Sequence, residues 1–211
     1  DCFGLCLAYS GSFTAMAQKD QRDQIRVQMG INPYQFRWCL TEGETFFAPQ
    51  VILSFSNQGF SKLSHQYHDI LHEHMCRGRY KHERRPVLIN NWEATYFDFN
   101  EEKIEKIAAQ AGELGIEMMV LDDGWFGKRD DDNSGLGDWF VNEKKIRGGL
   151  PKLSEKIHEK GMKFGLWFEP EMISEDSDLY RAHPDWAITI PGRVPNHSRN
   201  QLVLDMTRSD V

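Results

Sequence analysis

The chain has 211 residues, 40% of them hydrophobic, which is enough to bury a real core in one or two domains. Its formal net charge of −7 argues against nucleic acid as a main partner. No apolar run reaches the roughly 18 residues a spanning helix needs, so no membrane association is expected. No signal-peptide pattern opens the chain, which begins Asp1-Cys2-Phe3. Both ends read as cut, and a longer parent protein is expected. Cys2, Cys6, Cys39 and Cys76 form no CxxC pair. They read as reduced thiols rather than a disulfide framework, which favours a cytoplasmic protein.

Residues 1 to 58 read as antiparallel strands from the end of a β-sandwich. Gln24 to Ile31 alternates apolar and polar, as a strand with one wet face does. Phe36 to Leu40 and Thr45 to Phe47 read as two more strands around a turn at Thr41 to Glu44, and Val51 to Phe55 as another. Residues 59 to 85 then read as a linking helix and a basic connector. Leu63, Tyr67, Ile70, Leu71 and His74 share one helical face, with His65, His68 and His72 opposite. Three histidines at that spacing can hold a metal, but without a matched acid they read as a solvated face. The basic residues from Arg77 to Arg85 read as a charged surface.

From Pro86 onward the pattern becomes strand, then helix, repeated. Val87-Leu88-Ile89 leads to Asn90-Asn91-Trp92. Asn100 is placed to cap a helix with Glu101 and Glu102 in its first turn. Its buried stripe is Ile104, Ile107, Ala108, Ala111 and Leu114, and Gly115 ends it. Met118 to Leu121 forms the next strand, ending in Asp122-Asp123-Gly124-Trp125-Phe126-Gly127. A long loop reaches Gly149, and Pro151 opens a helix with Leu153 and Ile157 facing inward. Met162 to Phe168 is the third strand, ending at Glu169-Pro170-Glu171. Asp205 to Asp210 reads as the start of a further helix.

An open doubly wound sheet and a (β/α)8 barrel both fit this succession. No glycine-rich dinucleotide turn is present. Each strand ends instead in aromatics and acids, which favours a barrel with a carbohydrate pocket at its C-terminal face. Asp122 or Asp123 with Glu169 has the make-up of a glycosidase pair. Asp123-Gly124 as a turn, and Glu169 as a strand terminator paired to an arginine, are the structural alternatives. Asp130 to Gly135 opens like a calcium loop, but Val141 stands where the twelfth position needs glutamate, so a solvated rim loop is expected.

Longer motifs carry a family resemblance. Leu88-Ile89-Asn90-Asn91-Trp92-Glu93-Ala94-Thr95-Tyr96-Phe97, Leu121 to Gly127, Leu136-Gly137-Asp138-Trp139-Phe140, Phe164 to Met172 and Asp178 to Trp186 closely resemble bacterial α-galactosidases of glycoside hydrolase family 36. The resemblance covers nearly the whole chain. It implies the last strands of an N-terminal β-supersandwich (residues 1 to 58), a linker (59 to 85) and the first strand–helix units of a (β/α)8 barrel (86 to 211). It implies retaining hydrolysis of terminal α-galactosyl groups from raffinose- or melibiose-type oligosaccharides. The family's nucleophile and acid/base aspartates close its fourth and sixth barrel strands, so both are expected after Val211 and no catalytic residue is assigned here. The positions matching Asp122 and Asp123 bind sugar hydroxyls, those matching Trp92 and Trp167 line the pocket, and Arg199 matches an arginine that reaches the sugar. A tetrameric parent enzyme is implied. The competing readings are a related α-glycosidase or α-galactosyl transferase, and a carbohydrate-binding module without chemistry.

No metal and no organic cofactor is expected. The activity of the full-length enzyme is therefore predicted to survive exhaustive EDTA treatment. A loss restored by Ca²⁺ or Zn²⁺ would contradict this.

Overall fold

The computed structural model describes residues 1–195, 197 and 199–211. The chain divides into two units, Asp1–Arg84 and Arg85–Val211.

In the first unit, strand β1 (Cys2–Leu7) pairs antiparallel with β4 (Val51–Ser56), with Cys2 opposite Ser56 and Leu7 opposite Val51. Strand β2 (Phe13–Lys19) forms a hairpin with β3 (Ile25–Ile31). Asp20 shapes its turn by accepting from the Arg22 and Gln24 amides at 2.8 and 2.9 Å. Helix α1 (Gly59–Ile70) packs on the β1–β4 pair through the buried Leu63 and a Tyr67 hydroxyl that donates to the Ile52 carbonyl at 3.2 Å. Gly4 permits that approach, because a Cβ there would lie 2.7 Å from the Tyr67 ring.

Two expectations fail in this unit. The segments Phe36 to Leu40 and Thr45 to Phe47 are not strands. Their turn forms, with the Glu44 amide donating to the Thr41 carbonyl at 3.1 Å. Among the described residues no neighbouring strand completes a ladder with either arm, and ring contacts such as Trp38–Phe46, 5.2 Å apart, join them instead. The expected apolar face of the helix also breaks. After Ile70 the chain widens into a π-turn, Leu71–Met75, whose extra residue rotates the face. His74 is consequently exposed and His72 part-buried.

The second unit is built on a parallel sheet in the order β5 (Leu88–Asn90), β6 (Met118–Leu121), β7 (Lys163–Leu166). Asn90 lies beside Val120, and Leu121 beside Leu166, so the strands end almost level. Helix α2 (Trp92–Thr95) is a single turn after β5, and helix α3 (Glu101–Glu113) connects onward to β6. Asn100 caps α3 by accepting from the Lys103 amide at 3.0 Å. Ile104, Ala108 and Ala111 are buried as the periodicity requires, but Leu114 is 83% exposed. It sits at the C-cap, where the backbone has left helical geometry.

Helix α4 (Gly149–His158) starts two residues before Pro151, from Gly148 in the left-handed region at φ 87°. Leu153 and Ile157 of α4 join Ile104, Ala108, Met119 and Leu121 in one core. The segment between Gly124 and Gly149 is folded into that core, with Trp125, Phe126, Leu136 and Ile146 all buried. Beyond β7, β8 (Met172–Ile173) pairs antiparallel with β9 (Leu202–Val203). Helix α5 (Asp178–Ala182) is capped by Ser177, while both Asp138 oxygens accept from the Asp178 and Leu179 amides at 3.0 Å. The expected helix from Asp205 is a turn: Asp205 accepts from the Thr207 amide at 3.1 Å and no α-helix follows among the described residues. No helix of the described residues is long and apolar enough to cross a membrane.

The Asn100 cap gives a direct test. Asn100→Ala should lower stability by about 1 kcal/mol, and Asn100→Asp should restore it. Urea unfolding of the full-length protein checks both, and equal stability of all three forms would refute the capping role.

Candidate functional site

The three parallel strands deliver their next residues to one end of the sheet: Asn91-Trp92 after β5, Asp122-Asp123 after β6 and Trp167 to Glu169 after β7. Adjacent residues on an extended chain point to opposite sides, so the two acids meet different surroundings. Asp122 is part-buried. Its Oδ2 accepts from the Asn90 side-chain amide at 2.7 Å, and its Oδ1 from the Asp123 backbone amide at 2.7 Å. The Asp122 amide donates to the Asn91 side-chain oxygen at 2.9 Å, and Asn91 is itself fully buried and tied to Thr95. Asp122 is thus held by neutral amides, with no cation bonded to it among the described residues.

Asp123 is only 3% exposed and faces Arg129, which is completely buried. Arg129 donates through Nε at 3.0 Å and Nη2 at 2.8 Å to the two carboxylate oxygens, and through Nη1 to the Ser134 carbonyl at 3.1 Å. Its guanidinium also lies over the Phe97 ring, 5.6 Å from the centroid. Lys145 closes the loop by donating to the Gly124 and Arg129 carbonyls at 3.0 and 3.1 Å.

Trp167 is part-buried in a cluster of rings. Its amide donates to the Leu121 carbonyl at 2.9 Å, and its carbonyl accepts from the Trp125 indole at 3.0 Å. Phe126 lies nearly parallel to it, with centroids 6.4 Å apart at 12°. Trp92 is part-exposed and braced edge-on by Tyr96 and Phe97 at 5.2 and 5.1 Å. Arg199 is exposed, in a left-handed backbone conformation at φ 53°. Glu169 has a buried Oε2 with no hydrogen-bond partner among the described residues. Burial pushes its carboxyl above the usual carboxylate range, against the pull of Arg199. The arginine bond expected as its structural alternative does not form.

Asp122, Asp123 and Trp167 are therefore linked through neighbouring strand ends, and Trp92 follows the asparagine pair that holds Asp122. The sequence alone gives Asn90 and Asn91 no role and does not single out Arg129. A lone arginine beside the acids Asp130 to Asp132 was the available signal. Those acids serve as ion-pair and turn partners: Asp130 pairs with Lys145 at 2.8 Å and Asp131 accepts from the Asn133 amide at 2.7 Å.

In the first unit, His65 and His68 do not group with His72 as metal ligands among the described residues. His72, Glu73 and His82 do bring potential ligand atoms within 4.8 Å of one another. Their present partners are the protein's own: the Lys81 carbonyl lies 2.7 Å from His72 Nε2, and Lys81 Nζ 3.3 Å from the Glu73 carboxylate.

Residues 45–211 match the Melibiase family model, and residues 1–41 match the glycosyl hydrolase family 36 N-terminal domain. The chain belongs to the Melibiase family. Among relatives in this family, the bifunctional alpha-galactosidase/sucrose kinase AgaSK of Mediterraneibacter gnavus is 58% identical across 100% of the chain, which spans 22% of AgaSK. Alpha-galactosidase Mel36A of Lactobacillus acidophilus is 53% identical across 100% of the chain, which spans 29% of it. A variant of alpha-galactosidase AgaA from Geobacillus stearothermophilus, solved with 1-deoxygalactonojirimycin, superposes with a TM-score of 0.95 at 52% identity. That match covers 99% of the chain and 29% of AgaA, and a further AgaA variant was solved with raffinose. This Melibiase chain accordingly has antiparallel strands of a β-sandwich domain followed by the first part of a (β/α)8 barrel.

The two acids should respond differently to loss of charge. Asp123→Asn leaves Arg129 buried without its counter-charge and should cost about 3–5 kcal/mol of stability. Asp122→Asn keeps shape but turns one of the two accepted bonds into a donor–donor contact, and should cost less, about 1–3 kcal/mol. Chemical denaturation of the two full-length variants checks the order. Equal losses would overturn the division between a structural and an open carboxylate.

Proposed function

We propose that this chain carries the galactose-binding part of a retaining α-galactosidase that removes terminal α-D-galactosyl groups from raffinose- and melibiose-type oligosaccharides. The observation that carries the reading is Asp122: a carboxylate without a bonded cation, fixed by Asn90 and a backbone amide beside Trp167, at the strand ends of a Melibiase barrel. The similar AgaA structures with 1-deoxygalactonojirimycin and raffinose support the substrate class.

In this reading Asp122 and Asp123 accept bonds from hydroxyls of the terminal galactose. An ionised carboxylate offers about four lone-pair sites, so Asp123 keeps capacity for a hydroxyl beside Arg129. Galactose and glucose differ in the orientation of the 4-hydroxyl. A fixed acid that bonds the axial group is left unpaired by the equatorial one, at a cost of about 1.5–3 kcal/mol for a charged partner. Trp167 and Trp92 line the pocket, and Arg199 reaches the sugar. The nucleophile and acid/base lie outside residues 1–211. Residues 1–58 belong to the sandwich, 59–85 link, and 86–211 start the barrel. Four unpaired cysteines, two of them exposed, favour the cytoplasm, and we take the parent enzyme to be a homotetramer.

Trapping the full-length enzyme with a fluorinated galactosyl inactivator tests the reading. The label is expected on an aspartate outside this chain, while Asp122→Asn raises KM about 10-fold or more with a smaller change in kcat. A label on Asp122 or Asp123 would overturn the assignment of roles. Sugar binding without turnover or labelling would leave only a carbohydrate-binding module.

A further inference from the structure

The turn that follows helix α1 gathers three side chains that play no part in the strand-end site. His72 and Glu73 lie in the π-turn Leu71–Met75, and His82 ends the 3₁₀ turn Arg79–His82. A ring nitrogen from each histidine and a Glu73 carboxylate oxygen all lie within 4.8 Å of one another. The two rings meet edge to face, at 81° with centroids 5.1 Å apart. Wide turns of this kind are rare and frequently mark functional sites.

The hydrogen bonds of His72 assign its protons. A carbonyl only accepts, so Nε2, 2.7 Å from the Lys81 carbonyl, carries a hydrogen. Nδ1 of the neutral ring is then a bare lone pair, and it faces another acceptor, Glu73 Oε1, at 2.8 Å. Two acceptors this close need a cation between them, either a second proton or a metal ion. Lys81 does not supply it. Its Nζ donates to the Glu73 carbonyl at 2.7 Å and to the other carboxylate oxygen, Oε2, at 3.3 Å. A proton would account for the pair but needs no third donor, and His82 provides one. A ring whose second N–H is bonded to a backbone carbonyl is also how metal-binding histidines are oriented.

We propose that His72, Glu73 and His82 form a zinc site that clips the π-turn to the 3₁₀ turn. Two imidazoles and a carboxylate are a zinc donor set, with ligand distances of about 2.0–2.2 Å and water in the fourth position. Nδ1 and Oε1 then open slightly and His82 moves inward, which part-buried and exposed side chains do by rotating. The ion closes the loop from 72 to 82, so its binding energy goes into the fold of the first unit. It takes no part in turnover, and activity is expected to survive its removal. The proposal is independent of the galactose-binding reading.

The test is calorimetric titration of untagged full-length protein with ZnCl₂, after stripping with dipicolinate and dialysis. Wild type should bind an equivalent of zinc that His82→Ala lacks. Loss of an outer-shell partner alone costs about 10–100-fold in metal affinity, so His72→Ala, Glu73→Gln and His82→Ala should each weaken that equivalent about 100-fold or more. His65→Ala and His68→Ala, which change histidines outside the cluster, should bind as wild type does. Thermal unfolding gives a second readout. Zinc should raise the Tm of wild type but not that of His82→Ala or Glu73→Gln, while the metal-free forms of all three melt alike. Equal zinc binding by wild type and His82→Ala, or an equal zinc-induced Tm shift in both, would overturn the proposal and leave His72 and Glu73 as an imidazolium–carboxylate pair only. A loss of the zinc equivalent in His68→Ala as large as in His82→Ala would also overturn it.

Discussion

The ion pair between Asp123 and Arg129 holds the strand-end face of the second unit together. A guanidinium with no exposed surface is costly to bury, and it survives because each of its three nitrogens donates a hydrogen bond. Asp123 takes the Nε and Nη2 edge, the Ser134 carbonyl takes Nη1, and Phe97 covers the face. The pair ties the end of β6 to the loop after it. Lys145 repeats the device from the far side by bonding the carbonyls of Gly124 and Arg129. Gly124 and Gly135 sit where the loop turns tightly. A Cβ on Gly135, at φ 75°, would come within 2.8 Å of the Arg129 amide nitrogen.

With that loop fixed, the aromatic residues it carries can pack. Trp125 and Phe126 are buried, and Phe126 lies against Trp139 at 4.3 Å and parallel to Trp167. The ring of Trp167 is thereby oriented by its aromatic neighbours, and its backbone is held by Leu121 and Trp125. Asp122 is prepared on the same principle by different means. Asn90 and Asn91 fix its geometry through neutral amides, which orient a carboxylate without neutralising it. Two adjacent aspartates thus divide the work. One is paired with a buried guanidinium, and the other is held by neutral amides at the strand ends.

Much of the second unit was legible in the residues. The apolar run from Met118 to Leu121, the Asn100 cap and the inward spacing of Ile104, Ala108 and Ala111 all depend on local periodicity and local hydrogen bonds. The arms at Phe36 to Leu40 and Thr45 to Phe47 were misread, because a strand exists only where another segment completes its ladder. The helix face at His74 failed because a single wide turn shifts every side chain after it. Leu114 failed because it falls one residue beyond the helix it was counted in.

For the site, sequence determined the inventory: acids, asparagines and tryptophans immediately after short apolar strands, in motifs long enough to mark the family. That much is set by which residue types follow one another along the chain. Only the tertiary structure decided their roles. Arg129 and Asp123 are six positions apart, Asn90 and Asp122 thirty-two, and Trp125 and Trp167 forty-two. Which of two neighbouring carboxylates meets a buried guanidinium depends on how a loop folds back over a strand end. Periodicity carries no information about that, because the energy lies in contacts between residues distant in the chain.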